Sequence, residues 1–87
     1  MTALQAAARF AAEMNAYGRL FSVYVQTDGY TSIRRRDITA ENAYLEALGA
    51  AHGNYVGRVE NNEQDSRYVY AIVYANGEYE IRADWED

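Results

Sequence analysis

The chain has no cysteine, no proline, no lysine and a single histidine among its 87 residues. Without cysteine there is neither a disulfide frame nor a thiolate metal site. Without proline one class of slow folding step is removed. His52 is the sole candidate base for a serine-type triad, and no serine stands in a recognisable elbow. Set at a helix end before Gly53, it reads as a C-terminal cap on the helix dipole. Metal sites built on His or Cys need two or more such ligands. The acids Asp84, Glu86 and Asp87 lack the spacing of a calcium loop. Gly49, Gly53 and Gly57 are spaced across a helix end and make no phosphate loop. No apolar run approaches the roughly 20 residues of a membrane span. The start, MTALQAAARF, is too punctuated for a signal peptide. These absences predict a soluble cytoplasmic protein that is not an enzyme, with no catalytic residue, no cofactor, no metal and no membrane contact.

What is present reads as one globular domain over residues 1–87, with 49 % hydrophobic and 24 % charged residues. All eight basic residues are arginine, and nine residues are tyrosine against two phenylalanines and one tryptophan. Nucleotide bias in a GC-rich genome accounts for arginine over lysine but not for tyrosine. Both residue types are enriched at protein–protein contacts and at their energetic centres.

Charge is concentrated at one end. From Glu60 to Asp87 eight carboxylates face two arginines, a net of −6, whereas residues 1–59 carry five acids and six arginines, a net of +1. Such a surface repels nucleic acid and membrane headgroups and attracts basic surfaces, including grooves that hold nucleic acid.

Local signals give the element order α-β-β-α-β-β-β. Thr2 caps a helix running to about Tyr17, with Ala3, Ala7, Phe10, Met14 and Tyr17 on one stripe and Gly18 as a left-handed stop. Arg19 to Gln26 reads as a strand with Phe21, Val23 and Val25 on one face. Asp28-Gly29 turns it into a less apolar strand, Tyr30 to Arg36, nearer an edge. Thr39 caps a second helix, with Glu41 in its first turn and Ile38 stapled to Ala43. Tyr44, Leu45, Leu48 and Ala51 or His52 form its buried side, and Gly53 ends it. Three strands follow: Asn54 to Glu60, Arg67 to Ala75 as the longest, and Glu78 to about Ala83. The predicted class is α+β, a single domain of two helices packed on a mainly antiparallel sheet of about five strands.

Asn76-Gly77 reads as a two-residue type I′ turn pairing Ala75 with Glu78. That register puts Tyr70, Ile72, Tyr74, Tyr79 and Ile81 on a helix-facing side. It puts Val69, Ala71, Val73, Glu78, Glu80 and Arg82 on an outer side. Glu78 and Glu80 would then stand roughly 6.6–6.8 Å apart along the outer face. With Glu60 and the turn acids Glu63 and Asp65 they would form one negative docking patch. The expected partner-binding set is Glu60, Glu63, Asp65, Glu78, Glu80, Asp84 and Glu86, with Tyr68 and Tyr79 as anchors. The run Arg34-Arg35-Arg36, with Tyr24 and Tyr30 nearby, invites a nucleic-acid reading. The overall negative charge argues instead for an acidic neighbour or the chain's own acidic tail facing the cluster, so no direct nucleic-acid binding is expected.

The acidic region from Glu60 to Asp87 and the tyrosine-rich hairpin RYVYAIVYANGEYEIRADWED resemble the small phage-encoded inhibitors of bacterial defence, the anti-CRISPR proteins. The resemblance implies a viral, non-catalytic inhibitor in the bacterial host cytoplasm. Such an inhibitor would act partly as a nucleic-acid mimic, on a basic guide- or DNA-handling surface of a Cas nuclease or surveillance complex. The alternative is a homodimeric structural or regulatory module that buries the Val69-Ala71-Val73 face and strand edges against a copy of itself.

Overall fold

The computed structural model describes residues 2–62 and 69–83. Thr2 opens α1 (Ala3–Met14) with a capping box. Its hydroxyl accepts from the Gln5 backbone N–H, and the Gln5 side chain accepts from the Thr2 N–H. The apolar stripe buries Ala7, Phe10, Ala11 and Met14. The helix ends earlier than the sequence suggests, and Gly18 is not its stop. Asn15 stays right-handed, and the Tyr17 N–H closes on the Met14 carbonyl at 2.9 Å. Positive φ among the described glycines belongs to Gly29, Gly53 and Gly77.

β1 (Phe21–Thr27) turns at Asp28-Gly29 into β2 (Tyr30–Ile38), and α2 (Ala40–Ala50) follows. Thr39 caps α2, its hydroxyl accepting from the Asn42 N–H at 3.5 Å. β3 (Val56–Asn61), β4 (Val69–Val73) and β5 (Tyr79–Ala83) complete the described chain. The sheet order is β2-β1-β3-β4-β5, and every neighbouring pair is antiparallel. The predicted α+β architecture and element order are therefore the observed ones. β2 is an edge strand, as its polarity implied. It is also longer, at nine residues, than the five described for β4. No helix among the described residues is long and apolar enough to cross a membrane.

The helices lie on one side of the sheet. Phe10 and Met14 of α1, Tyr44 of α2, and Phe21, Val23, Val59, Val69 and Val73 of the sheet are fully buried in one core. Each contributes roughly 1.5–3 kcal/mol of burial. The rings of Phe10, Tyr44 and Tyr79 tie α1, α2 and β5 together: Phe10 meets Tyr79 edge-on at 5.0 Å and Tyr44 at 5.3 Å. α2 lies close to the sheet through small residues. Ala40, Ala43, Ala47 and Ala50 join Tyr44 on its buried side, while Leu45 and Leu48 are only half-buried and His52 is exposed.

The last hairpin departs from the sequence reading. The Tyr74 N–H donates to the Glu78 carbonyl and the Gly77 N–H to the Tyr74 carbonyl, each at 2.9 Å. Gly77 has φ +91°. The loop is thus three residues, Ala75-Asn76-Gly77, with glycine in the left-handed place. Val73 pairs with Tyr79, Ala71 with Ile81 and Ile72 with Glu80. The one-residue slip turns β4 over. Val69, Ala71 and Val73 are 0 % exposed beneath the helices, while Tyr70, Ile72 and Tyr74 face outward. The physical reason is space. Val73 is paired with Gly57, where α2 comes closest, so the β4 positions beneath the helices take valine and alanine, while Tyr79 finds room one strand further out beside Phe10 and Tyr44. A homodimer contact through Val69-Ala71-Val73 is excluded with it, since the protein's own core already buries them.

Candidate functional site

Alternating burial along β3 and β4 leaves Val56, Arg58 and Glu60 beside Tyr70 and Ile72 on the sheet side opposite the helices. β1 adds Tyr24 and Gln26, and β5 adds Glu80 and Arg82. The register lines these up in rows. Tyr24, Arg58, Ile72 and Glu80 form one row, and Ser22, Glu60, Tyr70 and Arg82 the next. Side chains of this face line a shallow groove of about 260 Å³.

Its centre is held by several contacts at once. The Arg58 guanidinium carbon stands 3.9 Å from the Tyr70 ring centroid. Arg58 Nε donates to Glu60 Oε2 at 2.6 Å, and Nη1 donates to Gln26 Oε1 at 3.3 Å. At the rim the Tyr74 hydroxyl donates to Glu80 Oε2 at 2.7 Å, and Arg82 Nη2 reaches the same oxygen at 3.4 Å. The Tyr74 hydrogen bond, then Arg82, holds the Glu80 carboxyl below its ordinary range. The same bond, followed by partial burial and the Glu80 charge, raises the Tyr74 hydroxyl. Glu80 first, then a hydrogen bond with Tyr70, raises Arg82.

The four described members of the expected binding set do not gather on one surface. Glu60 and Glu80 are on the outer face, each ion-paired to an arginine. Glu78 sits at the hairpin end, where Asn76 Nδ2 donates to its carboxylate at 3.1 Å. Tyr79 points to the helix side, where its hydroxyl donates to Glu13 Oε2. Glu63, Asp65, Tyr68, Asp84 and Glu86 lie outside the described residues. Across β1, β3, β4 and β5 the outer face therefore carries two arginines against two glutamates and is balanced rather than negative. A two-residue loop would turn Tyr70, Ile72 and Tyr74 under the helices, and the three-residue loop is what brings them to the surface; Arg58, on β3, carries no local signal of its face. The alternation of valine and alanine with larger residues in β4 was the signal that could have revealed the first three.

A second concavity of about 630 Å³ lies between α1, α2 and the tip of the β4–β5 hairpin, lined in part by Arg9, Glu13, Leu48, Asn76, Glu78 and Tyr79. His52 is exposed, with its ring stacked on Tyr55 at 6.3 Å. No described hydroxyl or carboxylate hydrogen-bonds its side chain. Among the described residues no three His, Asp or Glu side chains stand together as a metal-binding group. In comparisons with known proteins, no family model, no curated protein and no solved structure matches this chain.

Proposed function

We propose that this chain is a non-catalytic binding protein that docks a protein partner on the open face of its sheet and blocks that partner by occupying it. The carrying observation is the Arg58–Tyr70 stack, fixed by Glu60 and Gln26. Tyrosine and arginine dominate interface energetics. A side chain already locked in place loses little rotamer entropy on binding. Tyr24, Ile72 and Tyr74 surround the stack with aromatic and aliphatic area. The two pairs Arg58–Glu60 and Arg82–Glu80 cancel in charge, so this face works by burial and matched polar contacts rather than by attracting a cationic surface at long range. The class of partner, a CRISPR–Cas nuclease complex, comes from the resemblance to anti-CRISPR proteins.

Phage plating on hosts with defined CRISPR–Cas systems tests both parts. The wild-type chain, expressed in the host, is expected to restore plaques of a targeted phage in one system type. A folded Arg58→Glu, Tyr74→Ala double variant is expected to lose that rescue. Rescue by the variant equal to wild type removes the open face as the docking surface. Absence of rescue in every system removes the inhibitor. With the purified complex, inhibition should saturate at a fixed molar ratio, whereas continued loss of activity at substoichiometric amounts would indicate catalysis.

A further inference from the structure

Separate from the open face, the edge of β2 combines features that the docking reading leaves unused. Tyr30 through Asp37 are all exposed, and β2 is paired only with β1 among the described residues. Pairing is regular where Tyr30, Thr31, Ser32 and Ile33 oppose Thr27, Gln26, Val25 and Tyr24. Then the register shifts twice. Arg35 opposes Val23 directly after Ile33 opposes Tyr24, so Arg34 is an extra residue in the ladder. In an unbroken strand successive side chains point to opposite faces. Here Arg34 reaches Glu46 of α2 at 2.9 Å, and Arg35 beside it occupies the position opposite core-facing Val23. The extra residue thus turns two successive arginines toward the helix side of the edge.

The second shift, between Arg35 and Ile38, contains Asp37 at φ +56°. That left-handed residue is anchored: Asn62 Nδ2 donates to Asp37 Oδ1 at 2.7 Å, and the Ser22 hydroxyl donates to Asn62 Oδ1 at 2.8 Å. The arginine cluster is therefore displayed from a fixed backbone. Arg34 has its carboxylate in Glu46. Among the described residues, Arg35 and Arg36 have none within ion-pair distance. Ile33 and Tyr30, 43 % and 55 % exposed, supply apolar anchors on the same strand.

We propose that the β2 edge from Tyr30 to Arg36 is a docking site for an extended, acidic segment of a partner protein, added as a further strand. Alternate residues within Tyr30–Ile33, whose N–H and C=O groups point away from β1, supply main-chain hydrogen bonds. Carboxylates further along the added segment meet Arg35 and Arg36. A peptide fits this edge better than a nucleic acid. A strand edge alternates donors with acceptors, which a phosphate backbone cannot match. Bulges usually guard edges against pairing. Here they confine it to the short regular stretch, which admits one bound segment and discourages open-ended sheet growth.

The test uses the full chain, isotopically labelled, with a ten-residue peptide of alternating glutamate and threonine. The probes for comparison are the lysine counterpart of that peptide and a decathymidylate strand. The glutamate peptide is expected to slow amide exchange at residues 30–33 by about tenfold or more and to shift the Arg35 and Arg36 signals, while the lysine peptide does neither. An Arg35→Glu, Arg36→Glu variant with an otherwise unchanged spectrum should bind the glutamate peptide at least about tenfold more weakly. An Arg35→Gln, Arg36→Gln variant should fall between the two. Unchanged exchange at residues 30–33 at millimolar peptide, equal binding by the charge-reversed variant, or tighter binding of the decathymidylate at the same arginines would each overturn the proposal.

Discussion

Gly57 of β3 lies directly beneath Ala47 of α2, so close that a Cβ on Gly57 would stand 2.4 Å from the Ala47 carbonyl oxygen and 2.5 Å from the Ala47 Cβ. The contact is between backbones, which have no side-chain rotamer through which to yield. Gly57→Ala must push α2 off the sheet, and overpacking of this kind costs about 1–3 kcal/mol. Gly49, inside α2, meets nothing within 4 Å of the same added atom. There, replacement of glycine by alanine in a helix gains about 0.5–1 kcal/mol. The same substitution is therefore expected to lower the melting temperature at residue 57 and raise it at residue 49, by roughly 4–8 °C per kcal/mol in a domain of this size. Equal shifts at the two sites would show that α2 does not rest on Gly57.

Much of this arrangement is legible in the residues. Thr2 and Thr39 mark helix starts, Asp28-Gly29 marks a hairpin, and the polarity of Tyr30 to Arg36 marks an edge. Each is a local signal whose physics is complete within a few residues. The β4–β5 loop was harder because Asn-Gly serves equally well in a two-residue loop and in a three-residue loop with glycine last. What decides between them is distant in sequence: the space under α2, set by Ala47 against Gly57. The binding surface inherited that ambiguity, since turning β4 over exchanges Val69, Ala71 and Val73 for Tyr70, Ile72 and Tyr74. The ion pairs that balance Glu60 and Glu80 join residues two apart on one strand face, so the alternation alone places them together. A charge sum along the chain hides them, because it does not separate the two faces of a strand.

The hairpin geometry is itself testable at Gly77. Its φ of +91° disfavours any residue with a Cβ, and an added Cβ would also press the Tyr44 hydroxyl at 3.3 Å. That hydroxyl donates to the Gly77 carbonyl at 2.5 Å, tying the loop to α2. Gly77→Ala is expected to cost about 1–2 kcal/mol. Chemical denaturation should show a lower midpoint with an unchanged slope. A neutral result would mean that the loop adopts a different turn.

Tyr79 gives the protein a pH-dependent stability at the alkaline end. Burial first, then the hydrogen bond to Glu13, pushes its hydroxyl up from 10.0 to about 12. In the unfolded chain the group ionises near 10, while in the folded chain it keeps its proton. The unfolded state then binds fewer protons, so stability falls as pH rises. The contribution is fully present below pH 10 and is lost between about pH 10 and pH 12. Tyr79→Phe cannot ionise, so its denaturation midpoint should fall less steeply across that interval. Parallel curves for the two proteins would place the Tyr79 hydroxyl in solvent.

Asn62 links the strained bend of the basic edge to the interior. It donates to Asp37 at 2.7 Å and accepts from the Ser22 hydroxyl at 2.8 Å, and Ser22 is 7 % exposed. Asn62→Ala removes both bonds and leaves the Ser22 hydroxyl without that acceptor, a loss of about 1–3 kcal/mol. Asp37→Gly also gives up the Asn62 bond, but glycine adopts φ +56° without strain, so its cost is smaller. If Asn62 acts by holding Asp37 left-handed, the two substitutions overlap. The double variant should then be less destabilised than the sum of the singles by at least about 0.5 kcal/mol in a double-mutant cycle. Strict additivity would separate the bend at Asp37 from the Ser22–Asn62 contact, and the arginines of β2 would then owe their placement to the bulge at Arg34 alone.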